Sequence, residues 1–216
     1  MNLDIRAGEF LAIVGGNGSG KTTLAKLFNG LLRPTAGTVT VGGRPASGRT
    51  VAQLARIVGY AFQNPDHQLF CSSVEEEIGF GPRNLGCTDA EVASRVEHAI
   101  EAMDLNHLRK QPPLSLRLGD RRRVSIASVI AMSPRVLILD EPTTGLDAAE
   151  TKDLMAHICK LNREGSTIVL ITHDMKLVAE YAARVVVVAQ GRILLDSDPR
   201  GAFSDPEILR QSNLEP

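Results

Sequence analysis

The sequence carries almost no net charge. Its 24 Lys and Arg stand against 25 Asp and Glu, a formal balance of −1 over 216 residues. Without an overall field, contact with nucleic acid or an anionic membrane would have to come from a local patch. A long apolar run is also missing. The stretches Val136 to Leu139 and Val185 to Ala189 are strand-sized, whereas a membrane-spanning helix needs about 20 apolar residues, so the chain reads as soluble. The opening residues Met1 to Arg6 offer neither the charged start nor the apolar stretch of a secretory signal. Cysteine is scarce: Cys71, Cys87 and Cys159 are odd in number and lack metal-ligand spacing, which points to reduced thiols in a cytoplasmic protein. Internal repeats, low-complexity tracts and sustained heptads are absent. The basic cluster Arg117, Arg121, Arg122 and Arg123 has no interleaved aromatics, so a solvated helix face or a phosphate-facing role is expected of it, not a grip on nucleic acid.

What is present is enough apolar residue for a core, 43% of the chain, at a length that suits one domain with two lobes. Apolar runs at Glu9 to Val14, Thr38 to Val41, Ile57 to Phe62, Val136 to Leu139, Thr167 to Ile171 and Arg184 to Val188 read as strands. Several are continuously apolar, which suits a largely parallel sheet covered on both faces. After the first of them, Leu24, Leu27, Phe28, Leu31 and Leu32 give Lys21 to Leu32 one apolar helix face. Between Phe62 and Pro134 strand-like runs vanish and helical periodicity takes over. There Thr88 and Glu91 form a capping box, and Val92, Val96, Ala99, Ile100 and Met103 mark a helix face. The expected plan is an α/β core over 1–62 and 134–196, a helical subdomain over 63–133, and a peripheral tail over 197–216.

Gly15-Gly16-Asn17-Gly18-Ser19-Gly20-Lys21-Thr22 matches the phosphate-loop pattern and lies between a strand and a helix, the context that the pattern requires. Glycines let the backbone curl so that successive N–H groups and a helix N-terminus surround phosphate oxygens. Lys21 adds a cation and Thr22 a hydroxyl for Mg²⁺. The run from Val136 ends in Asp140-Glu141, adjacent carboxylates that alternate sides of a strand and so divide their tasks. Alone, such a run could be a strand with a solvated end. Beside a phosphate loop, Asp140 is expected in the Mg²⁺ shell and Glu141 at the water that attacks the γ-phosphate. His173, at the end of another apolar run, is placed to hydrogen-bond that phosphate.

With these motifs on the page, the chain resembles an ATP-binding cassette ATPase over nearly its whole length, that is, a P-loop NTPase core with a helical insertion. The family's order is kept: phosphate loop, Q-loop glutamine Gln63, Walker B strand ending Asp140-Glu141, D-loop Gly145-Leu146-Asp147, switch histidine His173. The resemblance implies that ATP is held by Gly15 to Thr23, Thr23 included. It also implies Mg²⁺ beside Thr22, Gln63 and Asp140, and catalysis by Glu141, His173 and Gln63. Phe62 to Phe70, with Phe80-Gly81-Pro82 and Asn84-Leu85-Gly86, is similar to energy-coupling factor transporters and their cobalt and nickel importer relatives. That likeness implies a second ATPase subunit, a transmembrane scaffold subunit, a substrate-capturing membrane subunit importing a vitamin or metal ion, and a place at the cytoplasmic face of the membrane.

The chain departs from the family at the signature loop, usually Leu-Ser-Gly-Gly-Gln, which here reads Leu116-Arg117-Leu118-Gly119-Asp120. Arg117 and Leu118 put bulk where a serine hydroxyl and bare backbone meet the opposite subunit's phosphate. The expectation is therefore a heterodimer, in which a sister ATPase supplies the intact loop, ahead of a homodimer. A low-activity regulatory subunit and a non-transport cassette ATPase are the alternatives. Family members also extend further at both ends, with an adenine-stacking aromatic before Met1 and a small region after Pro216.

Overall fold

The computed structural model describes residues 1–204. In chain order they form β1 (Phe10–Val14), α1 (Lys21–Phe28), β2 (Thr40–Val41), β3 (Arg44–Pro45), α2 (Val51–Ala55), β4 (Val58–Ala61), α3 (Val74–Asn84), α4 (Asp89–Ala102) and α5 (Leu118–Ile130). The second half adds β5 (Val136–Asp140), α6 (Ala148–Arg163), β6 (Thr167–Ile171), α7 (Met175–Tyr181), β7 (Arg184–Ala189), β8 (Arg192–Ser197) and α8 (Pro199–Phe203).

Six strands build one sheet in the order β4-β5-β6-β1-β7-β8. The first five run parallel, as their continuous apolar sequences require, and β1 and β6 are buried at every position. Period-two alternation splits their side chains between the faces. On one side Leu11, Ile13, Ile138, Val169 and Ile171 pack with Ala25 and Leu54. On the other, Phe10, Leu137, Leu139, Ile168 and Leu170 share a core with α3 to α6. The helical insertion therefore has no core of its own apart from the sheet. Ser73 caps α3, and Thr88 and Glu91 close the expected capping box on α4.

Several details differ from the sequence reading. The first helix ends at Phe28 rather than Leu32, because Asn29 caps it and Gly30 turns the chain at φ +76, leaving Leu31 and Leu32 exposed. Residues 1–6 pair with no strand among the described residues. A sixth strand, β8, was not legible: it is half exposed and runs antiparallel to β7 through a turn at Gln190 and Gly191, both with positive φ. Consequently Ser197 belongs to the sheet, and α8 buries Ala202 against β7 and its neighbours. That start of the expected tail is packed; 205–216 lie outside the described residues.

The seam between insertion and sheet leaves no room at Gly59, where an added Cβ would stand 2.4 Å from Val129 Cγ1 and 2.9 Å from Pro134 Cγ. Gly59→Ala is expected to destabilise the protein by about 1–3 kcal/mol through overpacking, read as a lower denaturant midpoint with an unchanged slope. A midpoint equal to the parent's would refute this account of the seam.

Candidate nucleotide site

β1, β6 and β5 are neighbours, and their C-terminal ends carry the loop 15–20, His173 and the Asp140-Glu141 pair respectively. Ile13 is level with Ile171, and Ile171 with Asp140. Residues far apart in sequence thus gather on one edge of the sheet, where open α/β folds bind ligands.

In the loop, Gly15 admits no side chain, since a Cβ would meet the Val188 carbonyl oxygen at 2.1 Å. Gly18 and Gly20 take φ +76 and +107, and Gly191 N–H donates to the Ser19 carbonyl at 2.9 Å. α1 begins at Lys21 with no side-chain cap and no acidic residue in its first turn, so its N–H groups and positive dipole end face the loop unopposed. Lys21 is 7% exposed, and its ammonium donates to Gly15 O at 2.7 Å and Gly16 O at 3.0 Å. Burial pushes its pKa down, while the carboxylates of Glu141 and Asp140 oppose that shift. Ser19 Oγ is buried with no hydrogen-bond partner among the described residues. A buried unsatisfied hydroxyl inside a curl of amide donors fits a phosphate group.

Asp140 and Glu141 separate as expected, and the backbone sharpens the separation. Glu141 adopts φ +49, a sparsely populated conformation for a residue with a side chain. Asp140 Oδ2 accepts from Thr22 Oγ1 at 3.1 Å and from the Tyr60 hydroxyl at 2.6 Å. Glu141, 8% exposed, lies with Oε1 2.8 Å from His173 Nδ1 and accepts at Oε2 from Thr172 Oγ1 at 3.4 Å. Thr22 and Asp140 together offer hard oxygen donors beside the phosphate cradle. The described residues hold no cluster of three His, Cys, Asp or Glu able to bind a metal alone. This donor set fits Mg²⁺, which commonly takes one or two protein oxygens and completes its shell with phosphate and water.

Gln63 is exposed just past β4, and its carbonyl accepts from Arg122 Nη1. Sequence reasoning missed Gln68, whose amide donates to Ser125 O and Ser128 Oγ, both at 2.8 Å, and accepts from Ser125 Oγ at 2.9 Å. It ties the Q-loop to α5. Three of the four arginines of the basic cluster are paired with protein groups and do not form a solvated face. Arg121 pairs with Asp66, Arg123 with Asp120, and Arg122, 4% exposed, donates to the Phe62, Gln63 and Thr144 carbonyls. Only Arg117 is exposed, at the start of α5 and without a side-chain cap bond. Leu118 lies against the D-loop of its own chain, where a Cβ on Gly145 would be 2.9 Å from Leu118 Cδ2.

A glycine-rich loop feeding an uncapped helix, with a hydroxyl and carboxylate on one side and a Glu-His pair on the other, defines a P-loop nucleotide-binding protein. Residues 1–144 match the ABC transporter family. An energy-coupling factor transporter ATP-binding protein of Methanocaldococcus jannaschii is 42% identical over 99% of this chain and 77% of its own length. CbiO1 of Clostridium perfringens, part of the ABC transporter complex CbiONQ, superposes with a TM-score of 0.87 at 38% identity, covering 99% of this chain and 86% of that one. A dimeric ATP-binding cassette in a post-hydrolysis state, bound to ADP and phosphate, superposes with a TM-score of 0.82 at 26% identity over 93% and 90% of the two chains. The chain spans 38%, 35% and 37% of the length of three longer curated relatives that it matches at 50%, 47% and 46% identity. The chain belongs to the ABC transporter family, among the energy-coupling factor ATP-binding proteins.

Gly15→Ala is expected to force the loop off the Val188 carbonyl. Backbone strain of about 1–3 kcal/mol corresponds to roughly 5-fold to 150-fold weaker ATP binding. Titration with a fluorescent ATP analogue measures this, and parental affinity would show that the loop tolerates a Cβ.

Proposed function

We propose that this chain binds Mg-ATP and hydrolyses it to drive a membrane importer of the energy-coupling factor type. The observation that carries the reading is Glu141, buried beside the phosphate loop and held at Oε1 by His173 and at Oε2 by Thr172. A carboxylate so fixed is suited to take a proton from water as the water oxygen bonds to the γ-phosphorus and the β–γ bridge breaks, giving ADP and phosphate. Lys21 and the α1 N-terminus offset phosphate charge. Gly15 to Thr23 cradle the triphosphate, and Thr22, Gln63 and Asp140 would hold Mg²⁺, which when bound would neutralise charge on the phosphate oxygens. His173 positions Glu141 and meets the γ-phosphate.

The partners follow from surfaces as well as kinship. No helix among the described residues is long and apolar enough to cross a membrane; in this reading translocation falls to other subunits. Phe70 and Phe80, 61% and 44% exposed, stack edge to face at 4.8 Å on the helical insertion beyond Gln63. An exposed aromatic pair of this kind suits an apolar docking partner, here the transmembrane scaffold subunit. A substrate-capturing membrane subunit completes the complex at the cytoplasmic face, with a vitamin or a cobalt or nickel ion as cargo. Gln63 stands between nucleotide and docking surface and links the two.

Glu141→Gln is expected to keep Mg-ATP binding and to lower steady-state hydrolysis by about 10²–10⁴. Turnover at the parental rate would remove Glu141 from its role.

The second ATPase subunit is a sister chain in this reading, because Arg117 and Leu118 stand where the family presents a small hydroxyl and bare backbone. Restoring Ser at 117 and Gly at 118 is expected to let the isolated chain hydrolyse ATP with a rate that rises steeply with protein concentration. A parent chain already active as a homodimer, and not improved by the repair, would overturn the heterodimer.

A further inference from the structure

Tyr60 pairs with Ile138 across the β4–β5 ladder. Ile138 and Asp140 share a face of β5, because side chains alternate. The ring runs diagonally along that face, a reach that aromatic side chains cover. Its hydroxyl donates to Asp140 Oδ2 at 2.6 Å in a buried environment, and Tyr60 itself is 7% exposed. Thr22 Oγ1 lies 3.1 Å from the same oxygen and 3.4 Å from Oδ1. Two hydroxyls therefore converge on Oδ2, while Oδ1 keeps only the longer contact. The Tyr60 ring is braced in turn by Phe62, with centroids 5.1 Å apart, so its hydroxyl has little freedom to follow a rotating carboxylate.

We propose that Tyr60 is a positioning residue for the divalent cation: by occupying Asp140 Oδ2 it fixes the rotation of the carboxylate and reserves Oδ1 for the Mg²⁺ shell. Thr22 divides its hydroxyl between two tasks in this reading, the oxygen serving the cation and the proton serving Asp140. The phenol is the donor given to Asp140 alone. Loss of such an outer hydrogen bond typically costs 10-fold to 100-fold in metal affinity. Tyr60 touches neither nucleotide nor cation in this arrangement and acts only through Asp140. The proposal rests on the reading of Asp140 as a member of the Mg²⁺ shell.

The test uses the full chain with Tyr60→Phe, which removes one oxygen and keeps the ring. Equilibrium binding of a fluorescent ATP analogue is followed in EDTA and across a Mg²⁺ titration, so the readout is independent of turnover. Affinity in EDTA is expected to match the parent, and the half-saturating Mg²⁺ concentration to rise by about 10-fold or more. In an Asp140→Asn background, which is expected to abolish the Mg²⁺ response, Tyr60→Phe is expected to add nothing. If Asp140→Asn retains the Mg²⁺ response, the reading of Asp140 fails. If Asp140→Asn loses it while Tyr60→Phe keeps the parental Mg²⁺ requirement, Tyr60 is a core residue and the proposal is overturned. An equal loss of affinity with and without Mg²⁺ has the same meaning.

Discussion

Because β5, β6 and β1 run parallel and level, Asp140, Ile171 and Ile13 end together, and the chain must turn at the same edge three times. Those three turns hold the phosphate loop, the carboxylate pair and the histidine. The sheet is buried on both faces, so a slip of one residue in any of these pairings would exchange a whole set of apolar side chains between two packed layers. Core packing thereby fixes the spacing of groups that never touch the core. The geometry of the site is a by-product of register.

Onto that edge the fold places charges that would be costly alone. Lys21, Asp140 and Glu141 are all buried. The ammonium is lowered by burial and supported by both carboxylates. Each charge also has hydrogen-bond partners: loop carbonyls for Lys21, hydroxyls for Asp140, a ring nitrogen and a hydroxyl for Glu141. Buried ions persist under those conditions and not otherwise. An edge of preorganised donors and acceptors offers a phosphoanhydride what water would otherwise supply, without reorganisation as charge shifts.

The helical insertion is joined to this edge by polar clasps as much as by apolar contact. Arg122 reaches the carbonyls of Phe62, Gln63 and Thr144, so one buried guanidinium spans the Q-loop and the turn after Glu141. Gln68 fastens the Q-loop to α5 from the other side. These hydrogen bonds join the nucleotide edge to the insertion that carries Phe70 and Phe80.

By itself the sequence determined the parallel core, the helical insertion, the phosphate loop, the turning of Asp140 and Glu141 to different sides, and the pairing of Thr88 with Glu91. Each of these is local: a run of apolar residues, a glycine spacing or a three-residue cap carries its own signal. The roles of Tyr60, Gln68 and Arg122 were decided only by the tertiary structure. A tyrosine in a strand, a glutamine in a turn and an arginine in a basic run are all ordinary in sequence. Their partners lie 80, 57 and 59 residues away. β8 escaped for a related reason, since Gln190-Gly191 is a weak turn signal and an edge strand exposed on one side lacks the continuous apolar run that marked the others. What is periodic along the chain can be read from it; what depends on which strand ends beside which must wait for the sheet to form.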